Sequence, residues 1–212
     1  MMTTLLLPPP SGADVCQSLG SRPQFGSDSV IENDYFDRYN IENIHGSYYI
    51  AATRTETLDL AVLIAVFDDF ANWSDISPAY KSIEVRPLTT TLLLTGIRFR
   101  PSFSPFTSKF TNRIEVSNEE HIYRQCWRQL DEADEDVIEP YQNEPLENRG
   151  SWQVQRIDSQ RVRIDYYSVI KPPIPLPAWL YRFVVRNSYV DTFERIIAKA
   201  NEIQRGPRAT KP

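Results

Sequence analysis

Hydrophobic side chains recur along the chain with two periods, and each period predicts one kind of element. Residues 57–73, TLDLAVLIAVFDDFANW, repeat their apolar positions at helical spacing, and Thr57 or Asp59 is placed to cap the helix start. Residues 178–203 show a longer stripe of the same period, which predicts a long final helix. The stripe consists of Leu180, Phe183, Val184, Phe193, Ile196, Ile197 and Ala200.

Alternating apolar and polar side chains predict strands elsewhere in the chain. The alternation is clearest in residues 105–117, where apolar residues share one parity and polar residues the other. The apolar parity holds Phe106, Phe110, Ile114 and Val116, and the polar parity holds Thr107, Lys109, Thr111, Arg113 and Glu115. The other predicted strands are residues 45–56, 81–87, 90–100 and 120–130, with a hairpin formed by residues 151–157 and 161–170.

The order of these elements is strand, helix, a run of antiparallel strands and one long helix. This order predicts an α+β fold in which a curved antiparallel sheet and the last helix bury each other's apolar faces. Where the sheet extends beyond the helix, an apolar gap remains between them. The pattern therefore predicts a hydrophobic pocket.

The segments outside this pattern are polar or rich in proline, serine and glycine. Residues 1–44 are predicted to form a partly flexible N-terminal arm, residues 45–205 the folded domain and residues 206–212 a flexible tail. Within the arm, residues 30–44 fit either a short helix or a strap across the domain. The acidic residues 131–145 lack the glycine and the ligand spacing of a calcium-binding loop and are predicted to be a solvated loop.

Composition and charge exclude several classes of partner. The net charge of −5 gives no basic field that would attract nucleic acid. Cys16 and Cys126 lie far apart and form no CxxC pair, so neither a disulfide framework nor a structural zinc site is expected. The longest apolar run, residues 60–67, is far shorter than a membrane span, and the N-terminus carries no positive charge before its leucines. A soluble, cytoplasmic protein is predicted.

Motifs for catalysis and for cofactor binding are absent from the sequence. There is no Gly-x-Ser-x-Gly elbow, no Gly-x-Gly-x-x-Gly loop and no phosphate loop ending in Gly-Lys. The two histidines, His45 and His121, are assigned to the surface or to strand packing. No catalytic residue, metal ion or cofactor is therefore predicted.

Three segments resemble a known family. Residues 169–185 contain a proline-rich turn followed by Pro177, Trp179 and Leu180 at the start of the last helix. Residues 66–85 end the first helix with Asp69 and Trp73, and residues 104–116 give a weaker match. Over residues 45–203 the chain resembles the StAR-related lipid-transfer (START) domains, within the helix-grip superfamily that also contains polyketide cyclases and birch-pollen-type allergens.

The resemblance implies a helix-grip fold, with a lipid-like ligand held between sheet and helix and with residues 172–177 as a stiff hinge at the pocket mouth. Arg113 is a candidate for contacting a polar head group, and Trp179 either contacts a membrane transiently or staples the helix start. The aromatic residues of the strands either line the pocket or simply fill the core. The predicted ligand-binding residues are Phe106, Phe110, Arg113, Tyr123, Trp127, Trp152, Tyr166, Trp179, Phe183 and Val184.

Two alternatives to ligand binding and transfer stay open. One is an enzyme of the cyclase or aromatase kind, for which Asp165, Tyr167 and His121 are the candidate acids or bases. The other is an interaction domain whose pocket is closed by side chains. The sequence does not indicate an oligomeric state.

Overall fold

The computed structural model describes residues 15–16, 35–100, 107–131, 136–138, 147–171 and 177–206, without the side chains of residues 178, 184 and 185. Within these residues, eight strands form one open antiparallel sheet in the order β1-β2-β8-β7-β6-β5-β4-β3. The strands are β1 (Arg38–Ile44), β2 (Ser47–Glu56), β3 (Tyr80–Pro87), β4 (Leu92–Phe99), β5 (Ser108–Glu119), β6 (Ile122–Gln129), β7 (Glu147–Arg156) and β8 (Val162–Lys171). The helices are α1 (Leu60–Asp68), a 3-10 turn (Phe70–Asn72), α2 (Trp73–Ile76) and α3 (Ala178–Arg205).

The predicted α+β, helix-grip architecture is confirmed, with the sheet wrapped against the long last helix. The predicted helix at residues 57–73 is shorter than expected and is followed by the 3-10 turn and α2. Its start follows the prediction, because the Asp59 side chain accepts a hydrogen bond of 2.8 Å from the Ala61 amide. The Trp73 indole donates to the carbonyl of Phe67, which fixes the chain as it leaves α1.

Strand β1 is an element that the sequence left open. It occupies part of residues 30–44 and pairs with β2 from Arg38 to Ile44. His45 and Gly46 connect the two strands, and both have positive φ, 53° and 87°. Two central residues of positive φ are the requirement of a tight hairpin turn, and glycine meets it without strain. The predicted division into arm, domain and tail stays a prediction.

The inward face of the sheet and the helices share one hydrophobic core. Phe67 of α1, Trp152 of β7, Tyr166 of β8 and Phe193 of α3 are buried in it. The Trp152 ring lies 5.2 Å from Phe67, 4.4 Å from Tyr166 and 5.0 Å from Phe193, measured between ring centroids. These aromatic contacts join the sheet to α1 and α3.

The start of α3 leans on the sheet through Tyr181, which stacks on Tyr48 of β2 with centroids 3.5 Å apart. Residues two apart on a helix point to opposite sides, so Phe183 faces away from the sheet. Phe183 is 63% exposed and Trp179, one turn before it, is 71% exposed. The apolar stripe predicted for this helix is therefore correct at Phe193, whereas the prediction that Phe183 belongs to it is wrong.

The outward face of the sheet carries a disulfide that the sequence analysis did not expect. Cys16 is bonded to Cys126 of β6, with Cα atoms 5.3 Å apart, across 110 residues of sequence. The amide of Cys16 also donates to the Glu115 carboxylate, and Val15 is buried. The expectation that the two cysteines form no disulfide is therefore wrong. A disulfide depends on distance in the fold, which sequence separation does not report.

A second cluster on the outward face involves part of the acidic segment. Ile138 packs with Leu94 and Leu130, and its amide donates to the Thr111 hydroxyl. Asp136 forms an ion pair with Arg113 of β5. The described part of this segment is therefore attached to the sheet, and the prediction of a solvated loop is wrong there. None of the described helices is long and apolar enough to cross a bilayer.

Candidate functional site

The candidate site is the space between the inward face of the sheet and α3. Helix α3 makes its ring contacts with β2, β7 and β8, through Tyr181, Tyr189 and Phe193. The other half of the sheet also turns apolar side chains toward the core. Four of them keep part of their surface exposed: Ile83, Val85, Leu93 and Val116.

Two phenol groups meet at the boundary between the sheet and α3. The Tyr166 hydroxyl donates to the Tyr189 hydroxyl at 2.9 Å, and the Ser168 hydroxyl lies 3.3 Å from the same oxygen. Burial raises the pKa of Tyr166 well above its ordinary value. Burial also raises the pKa of Tyr189, against the opposing effect of its hydrogen bonds with Ser168 and Tyr166. Both phenols are therefore neutral hydrogen-bonding groups near neutral pH.

Two other tyrosines of the interior show the same direction of pKa shift. Burial is the main cause that raises the pKa of Tyr80, on β3, and of Tyr123, on β6. The Tyr123 hydroxyl also donates to the Asp68 carboxylate at 2.7 Å, which keeps the phenol protonated. The interior is thus rich in phenols that ionise only with difficulty.

These pKa shifts predict alkaline destabilisation. In the unfolded chain tyrosines ionise near pH 10, the ordinary value, whereas these folded-state pKa values are higher. Their stabilising contribution is fully present below pH 10 and falls as the pH rises toward the folded pKa. We expect the free energy of unfolding to fall above pH 10 by about 1.4 kcal/mol per pH unit for each tyrosine that ionises only on unfolding.

Urea titrations at several pH values, followed by tyrosinate absorbance and circular dichroism, test this expectation. Full ionisation of all tyrosines in a protein that keeps its native circular dichroism would contradict it.

A comparison with known protein families supports the helix-grip fold described above. The family model described as polyketide cyclase / dehydrase and lipid transport matches residues 59–191, more than half of the chain. The chain belongs to this family. The resemblance to START domains stated from the sequence is thereby confirmed, although a search of curated proteins finds no match to the sequence.

Solved structures of two StAR-related lipid transfer proteins and of one aromatase/cyclase share the fold. The STAR-related lipid transfer protein of Xanthomonas axonopodis superposes with a TM-score of 0.68 at 12% identity, covering 82% of this chain and 98% of that one. Human StAR-related lipid transfer protein 5 gives 0.70 at 10% identity, covering 91% and 96%. The Zhui aromatase/cyclase of a Streptomyces species gives 0.56 at 14% identity, covering 78% and 99%. At these identities the similarity concerns the fold alone.

Five of the residues predicted from the sequence lie on the inward face of this START-like sheet. Each of them is buried: Phe110, Tyr123, Trp127, Trp152 and Tyr166. Trp127 is held by a hydrogen bond of 3.1 Å from its indole to the Asn148 side chain, and its ring lies 5.9 Å from Tyr166. The structure therefore brings this group together, and its role in binding stays a prediction.

The remaining predicted residues lie elsewhere or outside the described part of the chain. Arg113 points to the outward face, where it pairs with Asp136, so it does not reach the interior. Trp179 and Phe183 are exposed on α3. Phe106, the side chain of Val184 and the proline segment 172–176 lie outside the described residues.

The candidate acids and bases of the cyclase alternative do not face the interior. Asp165 is buried on the outward face, where it accepts hydrogen bonds from Thr53 and Arg163. Tyr167 has the same parity on β8, and His121 is exposed in the turn between β5 and β6. None of the three faces the space between the sheet and α3. Among the described residues no group of side chains is arranged to hold a metal ion.

Sequence reasoning missed a set of polar residues on the inward face. Thr95 of β4 and Asn112 of β5 lie directly opposite each other, and Gln125 of β6 lies opposite Trp152. All three are buried. The inward position of Asn112 could have been predicted from the alternation in residues 105–117, because Asn112 shares the parity of Phe110 and Ile114. A polar residue at an apolar position of a strand is the pattern to look for.

Proposed function

We propose that this protein binds an apolar ligand reversibly between the inward face of the sheet and α3 and releases it unchanged. The observation that carries the proposal is the partly exposed surface of the inward residues Ile83, Val85, Leu93 and Val116. Apolar surface that the protein's own side chains leave accessible is the surface that an apolar ligand covers with a gain in free energy.

Two tyrosines support an internal position for this surface. Tyr80 and Tyr189 keep part of their surface exposed, yet burial is the main cause that raises the pKa of each hydroxyl. Surface that a solvent molecule can reach, but that lies far from bulk water, is expected at the wall of an internal cavity. We therefore place the proposed ligand beside these two residues.

The family supports the proposal in general terms, since its description covers lipid transport as well as polyketide cyclisation. The cyclase alternative is favoured by the similarity to the Zhui aromatase/cyclase. It requires an acid or base inside the site, and Asp165, Tyr167 and His121 are placed elsewhere. Ligand binding without chemical change is the function that the described side chains favour.

We also propose that the start of α3 contacts a lipid surface during exchange. Trp179 and Phe183 are exposed on one side of the helix, and Arg182 and Arg186 are exposed beside them. Aromatic rings favour the interface of a bilayer, and arginines are attracted by anionic lipids. The cytoplasmic location stays a prediction, and the Cys16–Cys126 disulfide is uncommon for a protein of that compartment.

Uptake of a fluorescent sterol or fatty acid from vesicles tests the proposal. The variant Val116→Trp adds bulk at a partly exposed inward position, and we expect it to weaken uptake by about tenfold or more. The matched control is Ser117→Trp, one residue further on the same strand and on its other face. Replacing both Trp179 and Phe183 with alanine should slow transfer from anionic vesicles and leave the affinity in solution unchanged.

Three outcomes would contradict parts of the proposal. Equal effects of Val116→Trp and Ser117→Trp on uptake would mean that the ligand does not bind at the inward face. A wild-type protein that takes up no apolar probe, and that carries none on native mass spectrometry, would favour the interaction domain. A bound compound that emerges as a new product would favour the cyclase.

A further inference from the structure

Three buried polar atoms on the inward face of the neighbouring strands β4, β5 and β6 lack a hydrogen-bond partner. They are the Thr95 hydroxyl, the Asn112 amide oxygen and the Gln125 amide oxygen. Thr95 is 1%, Asn112 4% and Gln125 2% exposed. An unpaired polar atom in a protein interior costs free energy, and such atoms are rare in folded proteins. Three of them on neighbouring strands therefore require an explanation.

The position of Thr95 and Asn112 makes them suitable for one shared partner. The two residues are directly opposite in the register of β4 and β5, and both side chains point inward. Side chains of opposite residues on neighbouring antiparallel strands begin about 5 Å apart. A single hydroxyl group between them is able to donate to the Asn112 oxygen and to accept from the Thr95 hydroxyl.

The surroundings of these groups are neutral. No lysine or arginine is buried among the described residues, and Arg113 points outward to Asp136. Arg54 of β2 has inward parity, but it is partly exposed and is paired with Glu56. Across the interior, Tyr166, Tyr189 and Ser168 provide a further set of uncharged hydroxyl groups. An anionic head group would find no buried cation here to offset the loss of its hydration.

From these positions we infer that the ligand of the proposed site is a neutral molecule with at least one hydroxyl group, which Thr95 and Asn112 recognise. The inference rests on the proposed function and specifies the chemistry of its ligand. An unsubstituted hydrocarbon would leave the polar atoms unpaired, and a carboxylate or phosphate would enter without a counter-charge. Sites built to hydrogen-bond a hydroxyl discriminate against analogues that lack it.

Three fluorescent probes with the same naphthalene ring test the inference: 2-naphthaleneethanol, 2-ethylnaphthalene and 2-naphthaleneacetate. They end in a hydroxyl, a methyl and a carboxylate respectively. The measured quantity is the ratio of the dissociation constant of the hydrocarbon to that of the alcohol. We expect this ratio to fall about three- to tenfold in Thr95→Val and in Asn112→Leu, the change that one hydrogen bond makes.

The same variants separate recognition from a structural role. Thr95→Val removes an unpaired buried hydroxyl without changing the size of the side chain, so we expect it to unfold at the same or a higher urea concentration than the wild type. The matched control is Thr55→Val on β2, which should change neither the ratio nor the stability. A fall in the ratio without a loss of stability supports the inference.

Results that contradict the inference can be told apart from results that contradict the proposed function. If the ratio is unchanged in both variants, or if the carboxylate binds most tightly, the inference is overturned while ligand binding stands. If none of the three probes binds to the wild type, the proposed function is overturned and the inference with it.

Discussion

Breaking the Cys16–Cys126 disulfide should lower the free energy of unfolding by about 2–5 kcal/mol. The bond joins residues separated by 110 positions, and cross-links that close long loops remove the most conformational entropy from the unfolded chain. The folded state also loses contacts, because Val15 is buried and the Cys16 amide bonds Glu115. The higher entropy of the unfolded chain and the lost contacts of the folded state both lower the free energy of unfolding.

Urea unfolding with and without a reducing agent measures this effect. The double variant with serine at both cysteines should match the reduced wild type, which shows that the reductant acts through this bond. Reduction should also make the segment around Val15 accessible to proteases before the sheet unfolds. Equal unfolding midpoints of the oxidised and reduced proteins would contradict the prediction.

Ligand affinity provides a further control for the same experiment. Cys126 lies on the outward face of β6, whereas Tyr123 and Trp127 on the same strand point inward. We therefore expect the reduced protein, under conditions in which it stays folded, to bind apolar probes as the oxidised protein does. A loss of binding on reduction would mean that the two faces of the sheet are coupled.

Most of the sheet and the helices were predictable from the sequence, because burial of one face imposes a period on the side chains. The alternation around Phe110 and Ile114 gave β5 and its inward face correctly. The same alternation places Arg113 on the outward face, so its assignment as a ligand contact disagreed with the pattern that predicted the strand. Where the alternation along a strand is clear, it predicts the direction of a side chain better than the chemistry of that side chain does.

Strand β1 and the disulfide were not predictable in this way. Among the described residues, strand β1 lies at the edge of the sheet and pairs with β2 alone. Its sequence RYNIENI mixes polar residues with the buried Tyr39 and Ile41. Its pairing with β2, and not its own periodicity, makes it a strand. The Cys16–Cys126 distance depends in turn on the whole fold.

The exposure of Phe183 shows a similar limit for the helix. An apolar period predicts which residues share a face, but the tilt of a helix on its sheet depends on individual contacts. Here the stack of Tyr181 on Tyr48 turns the start of α3 so that Trp179 and Phe183 face outward. The sequence contained both tyrosines without indicating that they meet.

The second large effect is expected at Gly150, in the middle of β7. Gly150 lies directly opposite Trp127 of β6 and Ser168 of β8, and its face of the strand is the inward one. A Cβ atom added there would lie too close to the Trp127 ring and to the carbonyl oxygen of Tyr167. The indole occupies the space that the missing side chain leaves, so glycine is required by close approach.

Gly150→Ala should therefore lower the free energy of unfolding by about 3 kcal/mol, the upper part of the range for overpacking, because one of the two obstructions is backbone that cannot rotate away. Urea unfolding measures the loss, and Ser151→Ala, on the other face of the same strand, is the matched control. Trp127→Leu should cost less stability in the Gly150→Ala background than in the wild type, because removing the ring also relieves its contact with the added methyl group, while the Tyr167 carbonyl stays. The double-mutant cycle should thus show a favourable coupling between the two changes. A Gly150→Ala protein as stable as the wild type would mean that the indole of Trp127 does not lie over this glycine in solution.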